Sequence, residues 1–366
     1  MSFHIRRIAI NTGGGDAPGL NAVIRAAVLA SHHRGWEVLG IRRGYTGLLD
    51  TTKIMPLDPD AVRGITHIGG TILGTTNKGN PFEFPLSLPD RPTTLVDRSD
   101  EVVENFRRLE IDALIAIGGD GSMRIAHRFA EKGIPVVGVP KTIDNDLTGT
   151  VVTFGFDTAV TVATEALDRL HSTAEAHERV MVVEVMGRYA GWIALHSGVA
   201  ATADVILIPE VPFDIEMVCH KIADREARNR RFSIVVVAEG AKPAGGAMVT
   251  KGEEIGREVL LGGIGERVAA EIHERTGKET RTVVLGHIQR GGRPTTFDRL
   301  LALRFGAAAV RLIEEGRFNH MVALDPPLVR AVPLEEATSR LKTVPLDCDT
   351  VMTARDLGVS FGDGPV

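Results

Sequence analysis

The stretch Ala113-Leu114-Ile115-Ala116-Ile117-Gly118-Gly119-Asp120-Gly121-Ser122 decides the fold. Five unbroken apolar residues run into glycines, and a helical pattern begins at once behind them. An apolar run without alternation predicts a strand buried on both faces, as in a parallel sheet covered by helices. Glycines at the end of such a strand free the backbone N–H groups to approach an anion closely. The helix behind them adds the positive end of its dipole. Gly118, Gly119 and Gly121 are therefore candidates to hold a phosphate chain. Asp120 either caps the helix or holds Mg²⁺, directly or through water, because that ion prefers carboxylate oxygen plus substrate phosphate. Ser122 either caps the helix or donates to phosphate.

The same unit recurs in both directions along the chain. Short Val- and Ile-rich runs at Arg7–Asn11, Pro135–Val139, Val180–Val185, Val205–Ile208, Ser233–Ala238 and Thr282–Leu285 read as strands. Between them Leu20–Ser31, Ser99–Arg108, Ser122–Lys132, Thr158–Ala174, Ile215–Arg228, Gly265–Arg275 and Asp298–Glu315 read as helices. Alternation of this kind predicts the α/β class with mainly parallel sheets and ligands beyond the carboxyl ends of the strands. The segment after Arg330 is interrupted by prolines and lacks a clear period, so it is expected to be peripheral.

Composition sets the limits. A chain of 366 residues predicts two domains rather than one. With 43% hydrophobic and 24% charged residues the composition is ordinary for a globular protein. A net charge of −5 leaves no basic footprint for nucleic acid. Cys219 and Cys348 have no metal-binding spacing and fit a reducing compartment. No apolar run is long enough to cross a membrane, and no leader pattern opens the chain. The expectation is a cytoplasmic protein without membrane or nucleic-acid partners.

Two further segments carry chemistry. Asn11-Thr12-Gly13-Gly14-Gly15-Asp16-Ala17-Pro18-Gly19-Leu20-Asn21 repeats the strand, glycine loop and helix arrangement. Taken alone it reads equally as a tight turn or as a second phosphate loop, with Gly15 as the contact. Pro140-Lys141-Thr142-Ile143-Asp144-Asn145-Asp146 follows another strand. Phosphoryl transfer needs a positioned base for the acceptor hydroxyl and cations on the transferring group. Asp144 suits the base, and Lys141 and Thr142 suit phosphate contacts; a polar turn with an Asx cap is the plain alternative. Arginine's planar fork is the natural clamp for a dianionic phosphate. Arg179, Arg188, Arg281 and Arg290 all fall at or just beyond strand ends, where a site would form.

Gly118-Gly119-Asp120-Gly121 alone is shared by NAD kinase and diacylglycerol kinase families. Pro140–Asp146 and Leu285-Gly286-His287-Ile288-Gln289-Arg290-Gly291-Gly292 are not, and Gly13–Asn21, Glu184-Val185-Met186-Gly187-Arg188 and Ala238-Glu239-Gly240 stand with them. Together, in this order, they resemble the 6-phosphofructokinase family, of the A type and its mixed ATP/pyrophosphate group. The resemblance implies two three-layer α/β/α domains with the active site in the cleft between them. Residues 1–155 plus about 289–335 would form the donor domain, and 156–288 plus about 336–366 the sugar-phosphate domain. It implies Mg²⁺ at Asp120 and a donor contacting Gly15, Lys78, Gly119, Asp120, Gly121 and Ser122. It implies Asp144 as the base for the 1-hydroxyl of fructose 6-phosphate, with Thr142, Lys141 and Asp146 assisting and Arg188 on the transferring phosphoryl. Met186, Gly187 and Glu239 would touch the sugar, and His287 and Arg290 the 6-phosphate. Arg179 and Arg281 would reach a neighbouring subunit's site, making the working unit a homo-oligomer, dimer or tetramer.

The chain departs from the best-known bacterial pattern. Asn77 stands where an arginine is expected, with Lys78 beside it as a replacement charge. Pyrophosphate-dependent relatives place Asp where Gly121 stands and Lys where Lys141 stands, so the two donor-choice positions disagree. An added carboxylate facing phosphate is repulsive; its absence at Gly121 predicts ATP, with pyrophosphate the alternative. A nucleotide-sensing subunit without catalysis is the alternative of another class, and intact Asp120, Asp144 and Arg188 argue against it. Arg25, Arg228 and Arg230 match basic positions of the family's effector site, whereas Leu29 and His171 replace expected arginines; a weak effector response is predicted.

Overall fold

The structure is a computed structural model that describes residues 4–86, 93–252 and 260–364. Residues 1–3 and 365–366, the very ends on which the readings of the N-terminus and tail touch, lie outside that description.

Two sheets organise the chain. The larger has seven strands in the order Leu328–Pro333, His320–Asp325, Val136–Pro140, Ala113–Gly118, Arg7–Thr12, Glu37–Ile41, Ile54–Pro56. Its five inner strands run parallel and only the two edge strands are antiparallel. Alternate residues of each inner strand face opposite layers. Ile8, Ile10, Ile115 and Ile117 pack with the helices Leu20–His32 and Thr296–Glu314. Ala9, Leu114, Ala116 and Val136 pack with Ser99–Arg108 and Asp120–Glu131. The apolar runs have no polar alternation because both faces are covered.

The smaller sheet has four parallel strands in the order Thr280–Val284, Val180–Val185, Ser233–Ala238, Val205–Leu207. Phe156–His177 and Trp192–Ala200 cover one face, and Ile215–Ala227 and Ile264–Thr276 the other. The architecture is therefore α/β with two three-layer units, as expected. Asp298, fully buried on the helix Thr296–Glu314, ties them together. Its Oδ2 accepts from Thr158 N–H at 2.7 Å and Thr158 Oγ1 at 2.6 Å on the helix Phe156–His177.

Two readings are corrected. Ser122 does not cap a helix, because the helix already begins at Asp120 with Gly119 as its N-cap. Ser122 sits inside the first turn, with its Oγ packed against Gly13 and Gly118. The segment after Arg330 is not peripheral. Leu328–Pro333 closes the large sheet, and Val351, Ala354 and Phe361 are buried in the core of the small one. Among the described residues no helix is long and apolar enough to cross a membrane.

Candidate active site

Six strand carboxyl ends, three from each sheet, carry the segments singled out in the sequence. On the large sheet these are Gly13–Gly15, Gly118–Ser122 and Lys141–Asp146. The two glycine loops interlock: Gly13 N–H donates to Ile117 carbonyl at 2.9 Å, and Lys141 N–H to Gly118 carbonyl at 2.8 Å. Gly14 N–H donates to Thr76 carbonyl at 3.2 Å, which holds the exposed Lys78 loop alongside. Asp120 opens its helix with Oδ2 on Arg124 Nε at 2.9 Å. Its Oδ1 is buried and has no hydrogen-bond partner among the described residues. A Cβ built on Gly121 would meet no atom within 4 Å, so the space beside it is open.

Lys141 is 3% exposed and its Nζ donates to the Gly15 carbonyl. Burial, with Arg290 second, brings its ammonium down to about 7, and Asp16, Asp146 and Asp144 pull the other way. Burial, followed by the Asp144 charge, pushes Asp146 up to about 7; Asp120 adds to the same push. Four carboxylates, those of Asp16, Asp120, Asp144 and Asp146, and the cations of Lys141 and Arg290 thus act on one another here. Asp144 N–H donates to Thr142 Oγ1 at 3.1 Å, and Thr153 Oγ1 donates to Thr142 carbonyl at 2.7 Å, so the turn is held from within.

On the small sheet, Met186–Arg188 and Glu239–Gly240 cross closely. Gly240 N–H donates to Gly187 carbonyl at 3.1 Å, and any Cβ on Gly240 would lie 1.9 Å from the Arg188 carbonyl. Glu239 is raised by burial, Gly187 N–H opposing and Glu184 adding. The Arg188 guanidinium lies over the Tyr189 ring at 5.2 Å. His287 is exposed on the short 3₁₀ turn Gly286–Arg290. Arg290 reaches across to the large sheet, where Nη1 donates to Asp16 carbonyl at 3.1 Å and a Cβ on Gly15 would lie 2.9 Å from that nitrogen.

Two predicted residues are not brought to this cluster. Arg179 precedes the strand Val180–Val185 and Arg281 lies near the start of Thr280–Val284. Both guanidinium groups pair with Glu279. At about 3.3 Å per residue they stand at the far end of the small sheet from Arg188. All four arginines stand at strand ends, but direction along the strand puts Arg179 and Arg281 at the opposite end from Arg188.

Two residues were missed. Gln289 is fully buried; its Oε1 accepts from Met186 N–H at 3.4 Å and its Nε2 donates to Gly286 carbonyl at 3.1 Å, joining the Arg188 turn to the His287 turn. Glu184 accepts from Gly265 N–H at 2.8 Å and anchors the start of the helix Ile264–Thr276. Both lie inside quoted motifs, and no spacing rule distinguishes a brace from a contact.

Among the described residues no group of three His, Cys, Asp or Glu side chains is arranged for a metal. Mg²⁺ takes one or two carboxylates and keeps water and substrate phosphate as its other ligands. The unpartnered, buried Asp120 Oδ1 at a helix N-terminus fits such an ion.

Glycine loops, carboxylates and cations at the facing carboxyl ends of two parallel sheets define an α/β phosphotransferase. A profile of the phosphofructokinase family matches residues 7–313. The chain is 51% identical over 365 residues to a Synechocystis sp. protein named ATP-dependent 6-phosphofructokinase 1, covering 98% of this chain and 99% of that one. It is 51% identical over 360 residues to a Streptomyces coelicolor protein named pyrophosphate–fructose 6-phosphate 1-phosphotransferase, covering 97% and 100%. Among solved structures it resembles the Pichia pastoris phosphofructokinase in the T-state, with TM-score 0.80 and 31% identity, over 99% of this chain and 37% of that one. The chain belongs to the phosphofructokinase family.

Proposed function

We propose that the protein is an ATP-dependent 6-phosphofructokinase, moving the γ-phosphoryl of ATP to the 1-hydroxyl of fructose 6-phosphate. The observation that carries this reading is the pair of half-sites: glycine loops with Asp120 on one sheet, Arg188 and Glu239 on the other, and the half-buried Asp144–Asp146 turn with them. The large sheet, residues 1–155 plus about 289–335, takes the donor. The small one, 156–288 plus about 336–366, takes the sugar phosphate.

Gly15, Gly119, Gly121 and Ser122, with Lys78 from the side, hold the donor phosphates. Asp120 holds Mg²⁺, which when bound neutralises charge on the donor oxygens. Asp144 accepts the proton of the 1-hydroxyl. Burial and the Asp144 charge raise Asp146, which favours Asp144 as the ionised member of the pair and so as the base. Thr142 orients Asp144, and Lys141 and Arg188 bear on the transferring group. Met186, Gly187 and Glu239 contact the sugar, and His287 and Arg290 its phosphate. Arg179 and Arg281, turned away from their own chain's cluster, complete the site of a neighbouring copy in a dimer or tetramer. The protein works in the cytoplasm.

The open space beside Gly121 supports the larger donor. Lys141 and the name of the Streptomyces relative favour a second reading, in which pyrophosphate is the donor. Initial rates with ATP and pyrophosphate at matched Mg²⁺, crossed with fructose 6-phosphate and sedoheptulose 7-phosphate, test both. ATP with fructose 6-phosphate is expected to be fastest; turnover with pyrophosphate and none with ATP would reject the first reading for the second.

A further inference from the structure

Residues 341–344 form neither helix nor a strand of either sheet, yet they run along the seam between the two sheets' units. On one side Leu341 pairs with Leu147 in an antiparallel bridge, and Lys342 N–H donates to the Asp146 carbonyl at 2.8 Å. On the other side the Lys342 carbonyl accepts from Trp192 Nε1 at 3.0 Å. Val344 N–H donates to Glu210 Oε1 at 2.8 Å, and the same carboxylate takes Gly191 N–H at 3.0 Å. The segment therefore links the Asp144–Asp146 turn to the first turn of the helix Trp192–Ala200.

Its side chain goes further. Lys342 Nζ donates to Asn145 Oδ1 at 2.8 Å, Thr150 carbonyl at 3.0 Å and Val151 carbonyl at 2.9 Å. An ammonium has three N–H donors, and all three are used. The Trp192 ring lies 5.7 Å from Nζ. Asn145 stands between the two carboxylates, is 4% exposed, and holds a left-handed φ of 52°. Its Oδ1 also accepts from Thr153 N–H at 3.2 Å. The bend at Asn145 sets the directions in which Asp144 and Asp146 leave the chain. A charge-assisted bond on its carboxamide is the strongest kind of tether available to it.

We propose that Lys342 is a positioning residue for phosphoryl transfer, a cation that clamps Asn145 and the Thr150 and Val151 carbonyls and so fixes the Asp144–Asp146 turn. The proposal rests on the reading of that turn as the transfer centre. Lys342 touches neither substrate nor reacting atoms; it acts from the back of the turn, and through the main chain of 341–344 it couples the turn to the sugar-side unit.

The experiment compares Lys342→Ala, Lys342→Met and Asp144→Ser in the full chain. Lys342→Met keeps the stem against Trp192 and removes only the charge. Turnover of both lysine variants is expected to fall about 10- to 100-fold, as for small misplacements of a catalytic group, with the fructose 6-phosphate KM changed far less. Lys342→Ala removes the ammonium donor from all three oxygens, so ethylammonium chloride should restore turnover in a saturable way and tetramethylammonium chloride should not. Lys342→Met combined with Asn145→Ala should cost less than the two losses multiplied. Wild-type turnover in Lys342→Met overturns the proposal. So does a loss that ethylammonium leaves untouched while the variant melts at the wild-type temperature. Failure of both variants to fold assigns Lys342 to folding and overturns it too. The underlying reading fails separately: Asp144→Ser at wild-type turnover removes the base, whatever Lys342 does.

Discussion

Arg179 and Arg188 flank one strand, Val180–Val185, yet only Arg188 faces this chain's cluster. Arg188 leaves the carboxyl end, where Glu239 and the Asp144 turn gather. Arg179 enters at the amino end and is parked on Glu279 at 2.9 Å. In a parallel sheet all carboxyl ends share one edge, so a site is one-sided, and an arginine on the other edge serves something else. The Asp144 turn gives the largest test of that one-sidedness. Asp144→Ser should lower kcat about 10²- to 10⁴-fold, the usual cost of a lost general base, with little change in binding of fructose 6-phosphate by calorimetry. Unchanged kcat would reject the base. Arg188→Ala should cost about 10²- to 10³-fold in kcat, as for loss of a group that meets developing charge.

Arg179→Ala sharpens the comparison because it predicts a different kind of defect. Its loss should appear in the fructose 6-phosphate KM, about 10-fold or more for one charge-assisted contact, rather than in kcat. If Arg179 completes a neighbour's site, mixing it with Asp144→Ser subunits under exchanging conditions should regenerate some sites with both residues intact. Activity of the mixture above the sum of its parts is the expected result. Strict additivity after verified exchange would place Arg179 outside any site.

The sequence made the class and most elements legible because burial on both sheet faces leaves unbroken apolar runs, as at Ala113–Gly118. It was silent where periodicity fails. Trp192–Ala200 is a short helix with Ile193, Ala194, Leu195, Ser197 and Gly198 all buried, so no amphipathic stripe marks it. His320–Asp325 joins the parallel set only through tertiary placement beside Val136–Pro140. The reading of the tail as peripheral failed for the same reason, since residues 341–344 acquire meaning only from the turn they touch. Within the site, residue type announced Asp144, Asp146 and Lys141. Strand-end position did not separate Arg188 from Arg179, and only the fold exposed Gln289 as a brace.

A milder effect concerns Lys141 and pH. Its ammonium is held down to about 7 and Asp146 is held up to about 7. As pH rises through 7 the first loses its positive charge and the second gains a negative one, so both changes disfavour donor phosphates. The sign is therefore fixed: donor affinity should fall above about pH 7, by up to tenfold per unit for each proton linked to binding. Lys141→Met should bind donor more weakly at pH 6 and show a flatter profile, because only the Asp146 part remains. A profile as steep as the wild type would remove Lys141 from the donor site.

The smallest expected effect concerns effector response. The family resemblance implies a regulatory site at Arg25, Arg228 and Arg230, which Leu29 and His171 would thin. His171 Nε2 already shares a hydrogen bond with the Ala201 carbonyl at 2.7 Å, and Arg228 pairs with Asp224 at 3.1 Å. A site with fewer available cations holds a phosphorylated effector less differentially in two states, and only differential binding shifts an equilibrium. ADP and phosphoenolpyruvate should each move the fructose 6-phosphate half-saturation by less than about fivefold, the lower end of ordinary coupling. A steep cooperative curve that ADP relieves would show instead that Arg25, Arg228 and Arg230 suffice, and that the two lost arginines were dispensable.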